Sequence, residues 1–201
     1  MRKDFYIFRH GQTDYNLEGR WQGCGVDTEL NAGGIEQAQR LAERLKPFGL
    51  EIVFSSPLKR ALKTAQIVGE ALNIPVEICS GIREGCFGEA EGMLKSEVGE
   101  RWPEIFSEWY SPANDLNVGF PGGETKLQMQ NRMLAAMDEL ARRPQKIIGV
   151  ATHGSSIRYL LMYYGRQPSL MPNTALFHLV WEDGNWRLEK DPETENPSAV
   201  K

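Results

Sequence analysis

Two histidine–glycine pairs mark where this chain could do chemistry: Arg9-His10-Gly11 near its start and Thr152-His153-Gly154 near its end. An imidazole with one bare nitrogen can attack phosphorus, and a neighbouring guanidinium can hold phosphate oxygens in its fixed fork of donors. Arg60, in Ser55-Ser56-Pro57-Leu58-Lys59-Arg60, and Glu84, directly after Arg83, extend the set. A carboxyl group at that place could protonate a leaving oxygen. Singly, each residue has a plain structural reading. A strand-end histidine serves as a hydrogen-bonded turn residue, Arg60 as a helix-surface charge, and Glu84 as a solvated acid. They acquire a joint meaning only if the fold gathers them. Two histidines and a carboxylate could also hold a metal. Arg9 beside His10, and the expected nearness of Arg60, weigh against a dication there.

The elements that must do the gathering follow from periodicity. Apolar runs predict strands at residues 4–9, 51–55 and 146–152, the last nearly continuous as in a buried parallel strand. Residues 175–181 and 186–190 flank an Asp183-Gly184 turn, which predicts a C-terminal hairpin. Helical spacing is carried by Ile35 through Leu45, Leu58 through Leu72, Leu127 through Leu140, and Ile157 through Tyr164. Pro57 suits the first turn of the second of these helices. Alternating strands and helices imply a three-layer α/β/α fold with a mostly parallel central sheet. Arg9-His10-Gly11, the Ser55 to Arg60 stretch and Thr152-His153-Gly154 all follow strands directly. A parallel sheet would therefore bring all three to one edge, where ligands of such sheets collect.

Residues 80–123 break the pattern into short pieces rich in tryptophan and proline, and are expected to form a lid inserted in a single domain spanning residues 1–190. The aromatic residues Trp102, Phe106, Trp109 and Tyr110 within it are expected mainly to pack the lid onto the sheet. Pro121-Gly122-Gly123-Glu124 predicts a turn into a helix with an acidic first turn. The polar tail at 191–201 is expected to be disordered. His178 alternates with Leu176 and Val180 and is expected to be structural.

A chain of 201 residues with 41% hydrophobic and 25% charged content can bury a core without disulfides or structural metals. Its net charge of −4 gives no basic footprint for nucleic acid, so any pull on an anionic substrate must be local. No apolar stretch approaches a membrane span or a signal sequence. The expectation is a cytoplasmic protein with no nucleic-acid or membrane partner, and its oligomeric state is left open. Cys24, Cys79 and Cys86 are an odd, unpatterned set and are expected to be reduced thiols. Gly23-Cys24-Gly25 lacks the third glycine of a nucleotide loop.

In this order along the chain, the motifs resemble the histidine phosphatase superfamily, whose fold is phosphoglycerate mutase-like. The resemblance runs from Phe5 to about Trp181. It is carried by Arg9-His10-Gly11, Asn16, Gly19-Arg20-Trp21-Gln22-Gly23, Ser55 to Ala61, Arg83-Glu84, Pro121 to Glu124, and Thr152-His153-Gly154. It implies that His10 is the nucleophile that becomes a phosphohistidine, with His153 and Glu84 as its catalytic partners. Arg9, Arg60, Asn16 and Gly154 would bind the phosphate, and Gln22 and Gly23 would border the substrate. Glu84 would protonate the leaving oxygen and then help water to attack. His10 needs an unprotonated nitrogen, which nearby guanidinium charges favour. The basic cluster would stabilise the equatorial oxygens, so neither a metal nor another cofactor is implied. The implied partner is a small phosphorylated substrate.

Within the resemblance, cofactor-dependent mutases carry Glu after the Arg-His-Gly triplet and an Arg-His-Tyr-Gly stretch after the acid. Here Gln12 follows the triplet, and Glu84 leads into Gly85-Cys86-Phe87-Gly88-Glu89-Ala90-Glu91-Gly92. That pattern is similar to the phosphatase branch, with Ala90 where an aromatic residue is usual. Phosphatase is thus the expected activity and mutase the alternative. A binding protein that had lost turnover would be expected to lack His10 or Glu84, and both are present.

Overall fold

The computed structural model describes residues 1–111, 115–166 and 170–189. Six strands form one sheet: β1 (Arg2–Arg9), β2 (Ile52–Ser55), β3 (Val76–Ile78), β4 (Ile147–Thr152), β5 (Leu176–Glu182) and β6 (Asn185–Leu188), in the order β3-β2-β4-β1-β5-β6. The four strands from β3 to β1 are parallel, and β5 and β6 join antiparallel. The mostly parallel sheet and terminal hairpin agree with the periodicity. Asp183 and Gly184 both take positive φ, 49° and 89°, as a two-residue hairpin turn requires. The short edge strand β3 is not legible in the sequence, because its three residues are partly or fully exposed.

Alternation along β1 assigns its side chains to two cores. Phe5 and Ile7 face a cluster with Met133, Met137 and Leu140 from α6 (Lys126–Ala141) and Ile157 and Leu160 from α7 (Gly154–Tyr163). Tyr6 and Phe8 face Leu41 and Leu45 from α2 (Ala32–Leu45) and Ala65 and Val68 from α3 (Lys59–Leu72). Two layers of helices therefore sandwich the sheet. Helix α2 starts where Asn31 Oδ1 accepts from Gly34 N at 2.8 Å. Helix α3 starts two residues later than Pro57, with Leu58 in the cap position, so Pro57 precedes the first turn instead of sitting in it.

Three further helices are short: α1 (Asp14–Glu18), α4 (Lys95–Arg101) and α5 (Pro103–Tyr110). Residues of α4 and α5 join Trp21, Phe87, Phe120, Met129 and Tyr159 in a third apolar cluster. Trp21 is its hub, with its ring 5.1 Å from Phe120 and 5.8 Å from both Phe87 and Trp109. Glu124 does not provide an acidic first turn for α6. It lies before the cap residue Thr125, and its carboxylate accepts from Cys86 N at 2.9 Å and from Arg132.

The cysteines depart from the expected reduced set: Cys24 and Cys86 form a disulfide across 62 residues, and Cys79 is free. No local spacing announces a pair brought together by two remote loops. His178 is structural as expected, with Nε2 2.8 Å from Asp4 Oδ1 and its ring stacked on Tyr6. Among the described residues no helix is long and apolar enough to cross a membrane. The tail expected to be disordered lies outside the described residues.

Candidate active site

Parallel pairing of β2, β4 and β1 aligns their carboxyl ends, with Arg9 opposite Thr152 and Ser55 opposite Ala151. Arg9-His10, Ser55-Ser56 and Thr152-His153 therefore leave the sheet side by side. The turn after His10 packs against the start of α2 so tightly that a Cβ on Gly11 would lie 2.4 Å from Gly34 O. Glycine is the residue that this close approach permits.

His10 is buried, and its Nδ1 lies 2.7 Å from Gly11 O. A carbonyl accepts only from a protonated nitrogen, so this contact selects the tautomer whose bare lone pair is on Nε2. The His153 ring centroid is 5.1 Å away, and its Nε2 pairs with Ser56 Oγ at 2.7 Å. Burial, then the charges of Arg9 and Arg60, hold the His10 imidazole well below its usual range. Burial and Arg60 do the same for His153.

Arg60 is fully buried, with Nη1 donating to Val26 O at 2.8 Å and Nη2 to Gly23 O at 3.2 Å. Arg9 donates from Nη1 to Met171 O at 2.5 Å, and burial lowers its guanidinium to about 10, still cationic at neutral pH. The Nε atoms of both arginines and Nδ1 of His153 are buried without a partner among the described residues. Buried donors left open beside one another suit an anion.

Glu84 caps the start of α7. Its Oε1 accepts from Gly85 N (3.0 Å) and Ser156 N (3.1 Å) and lies 3.2 Å from Ser156 Oγ, whereas Oε2 accepts from Ser155 N alone at 3.2 Å. Oε2 thus keeps more capacity to handle a proton. Arg132 holds the loop beneath, donating to the carbonyls of Gly81 and Arg83 (2.9 Å each) and Glu84 (3.4 Å).

These groups meet at a cavity of about 130 Å³. Six of the sequence-predicted residues line it: Arg9, His10, Asn16, Gln22, Glu84 and Gly154. His153 and Arg60 are not in the lining but lie fully buried within electrostatic reach of His10. Gly23 is not in the lining either; it serves through its carbonyl on Arg60. Asn16 Oδ1 is held by Thr13 N and Asn173 Nδ2. Gln22 Oε1 accepts from Thr13 and Thr28, which leaves its amide N–H groups for the cavity.

The sequence reading did not single out three cations in the lining, Arg20, Lys95 and Arg158. Arg158 follows Gly154 by four residues and so shares its helix face, a signal that was available. Arg20 and Lys95 meet through a bridge between Arg20 and Leu94, and nothing local announces that. Trp109 and Tyr110 also line the cavity, so packing is not their whole role, while Trp102 and Phe106 serve the apolar cluster behind. Among the described residues no group of three or more His, Cys, Asp or Glu side chains gathers as a metal site would need.

An α/β sheet whose strand ends assemble two histidines, two arginines and a glutamate defines a phosphate-handling enzyme. The chain belongs to the histidine phosphatase superfamily (branch 1), whose sequence pattern it matches over residues 5–192. It is 32% identical over 189 residues to an uncharacterized phosphatase PhoE of Bacillus subtilis, covering 91% of each chain. It is 30% identical over 203 residues to a metal-independent phosphoserine phosphatase of Arabidopsis thaliana, covering 98% of this chain and 84% of that one. A solved mycobacterial glucosyl-3-phosphoglycerate phosphatase complexed with VO3 superposes with a TM-score of 0.82 at 28% identity, covering 93% and 97% of the two chains. The protein is a phosphatase of this family, a hydrolase of phosphoric monoesters.

Proposed function

We propose that His10 Nε2 attacks the phosphorus of a small phosphate monoester and becomes phosphorylated. The observation that carries this reading is the 2.7 Å contact from His10 Nδ1 to Gly11 O, which commits the other nitrogen to attack. The P–O ester bond breaks as the P–N bond forms, and Glu84 gives its proton to the leaving oxygen. Water then attacks the phosphohistidine, Glu84 takes back a proton, and inorganic phosphate leaves with His10 regenerated. Arg9 and the N-terminus of α7 at Gly154 hold the phosphoryl oxygens from the cavity side, with Asn16 at the rim. Arg60 and His153 stabilise the same charge from behind. The arginine cluster supplies the positive charge that a metal would bring, so the proposed step needs none.

The substrate carries a second anionic group. Arg20, Lys95 and Arg158 line the same cavity as the phosphate ligands, more positive charge than one phosphoryl group requires. Phosphoserine and glucosyl-3-phosphoglycerate, named for two relatives, both place a carboxylate near the ester. The lid covers this half of the cavity through Trp109 and Tyr110 of α5.

Phosphate release from a panel of phosphorylated carboxylic acids and matched uncharged esters, with mutase activity assayed alongside, tests the reading. The acids should be preferred, and His10→Ala should lose on the order of a thousandfold or more of turnover. Glu84→Gln should slow alkyl esters more than p-nitrophenyl phosphate, whose leaving group needs no proton. His10→Ala at the wild-type rate would refute the nucleophile, and equal loss on both esters in Glu84→Gln would refute the proton donor.

A further inference from the structure

The Cys24–Cys86 disulfide joins the two loops on which the catalytic cations and the acid depend. On one side, Gly23 and Val26 supply the carbonyls that hold Arg60, and Cys24 lies between them. On the other, Cys86 stands two residues after Glu84, and Gly85 O accepts from Cys24 N at 3.0 Å. Glu91 bridges the same gap, accepting from Gly25 N and Phe87 N at 2.8 Å each. Both cysteines are partly exposed, whereas His10, Arg60 and Glu84 are buried. The disulfide thus lies nearer to solvent than the groups it supports. Arg83 Nη2 lies 3.9 Å from Cys86 Sγ, a cation shared with Glu124 that favours a thiolate departing there.

We infer that Cys24 and Cys86 form a reversible thiol–disulfide site, reduced by a low-molecular-weight thiol and re-formed by its disulfide, that couples redox state to phosphatase turnover. The inference rests on the assignment of Arg60 and Glu84 to phosphoryl transfer. A thiolate attacks Cys24 Sγ, and the S–S electron pair leaves on Cys86. A second thiolate then attacks the mixed disulfide and frees Cys24. Two external thiols become one disulfide, and the protein gains two electrons and two protons. In the reduced state the segment carrying the Gly23 and Val26 carbonyls is tied to the Glu84 loop by hydrogen bonds alone. Arg60 and Glu84 then lose their fixed relation.

The test equilibrates the full chain in mixtures of reduced and oxidised glutathione. Denaturing alkylation then counts free thiols by intact mass, and the same samples are assayed for phosphate release. Cys79 takes one label in either state, so the oxidised chain carries one label and the reduced chain three. Activity should follow the oxidised fraction, with kcat/KM falling roughly tenfold or more on full reduction. The Cys24→Ser/Cys86→Ser double variant should match the reduced wild type and ignore the glutathione ratio. Equal activity in one-label and three-label samples, or three labels in every mixture, would overturn the proposal. So would a redox response that persists in the double variant, or loss of near-ultraviolet circular dichroism on reduction, which would mark general unfolding. Full activity of His10→Ala in the oxidised buffer would instead overturn the site assignment, and the coupling with it.

Discussion

For His10 and His153 the two largest influences act in the same direction. Burial disfavours the imidazolium, and the adjacent guanidinium groups disfavour it further. Both rings are therefore neutral in the folded chain well below the ordinary imidazole value of 6.5, which suits a nucleophile. The same shift costs stability in acid. Below pH 6.5 the unfolded chain binds protons that the folded chain refuses, so stability is full above that value and lost as pH falls toward the folded values. Both histidines act in the same direction, so acidification from pH 7 to about 5.5 should lower the melting temperature by several degrees. Thermal melts across this range, compared with a His10→Asn/His153→Asn variant, check it. The variant should lose most of the acid dependence; an unchanged slope would show that other groups carry it.

Among the elements, α6 shows how a site can depend on a residue outside its cavity. Arg132 spans three carbonyls of the loop leading to Glu84 and pairs with Glu124, which in turn accepts from Cys86 N. Only a planar fork reaches so many acceptors. Arg132→Met should cost about 2 kcal/mol, discounted for partial exposure, by leaving Glu124 under-compensated. It should also lower kcat for alkyl phosphates roughly tenfold with KM nearly unchanged, since Glu84 is then poorly aimed. Arg132→Lys should regain the stability through its charge but not the turnover. Full recovery of both would reduce Arg132 to a simple ion-pair partner. The helix α6 itself was legible in Leu127 to Leu140 because its apolar period runs over four turns. The clamp was not, because its acceptors are backbone carbonyls with no sequence signature. Helix α4 and strand β3 escaped for a related reason: they are too short for a period to accumulate, whereas Phe106, Trp109 and Tyr110 of α5 do stand at helical spacing. The cysteine pair was misread because a disulfide between remote loops is a property of topology.

At the scale of the molecule, what could be read in the sequence was the half of the site that follows from topology. A parallel sheet forces strand ends together, so Arg9-His10 and Thr152-His153 were bound to meet once the three strands were identified. The other half depends on where irregular segments land, and Arg20 and Lys95 reach the cavity by such a route. Their consequence is electrostatic. The chain carries a net charge of −4, yet Arg9, Arg20, Lys95 and Arg158 all line one cavity. A substrate with an anionic group beside its phosphate, as proposed, would thus be drawn by a local field inside a repelling envelope. Lys95 is exposed and Arg20 partly so, and salt screens such charges once the Debye length shrinks from about 10 Å at 0.1 M to about 3 Å at 1 M. Raising salt from about 0.05 to 0.5 M should therefore lower kcat/KM for a phosphorylated carboxylic acid several-fold, mostly through KM. An Arg20→Gln/Lys95→Gln variant should flatten that dependence. It should also lose more activity on the acid than on an uncharged ester of the same size, because the phosphate ligand proposed at Arg9 is left intact. Equal losses on both esters would place these cations in general steering and would remove the second anion from the substrate's description.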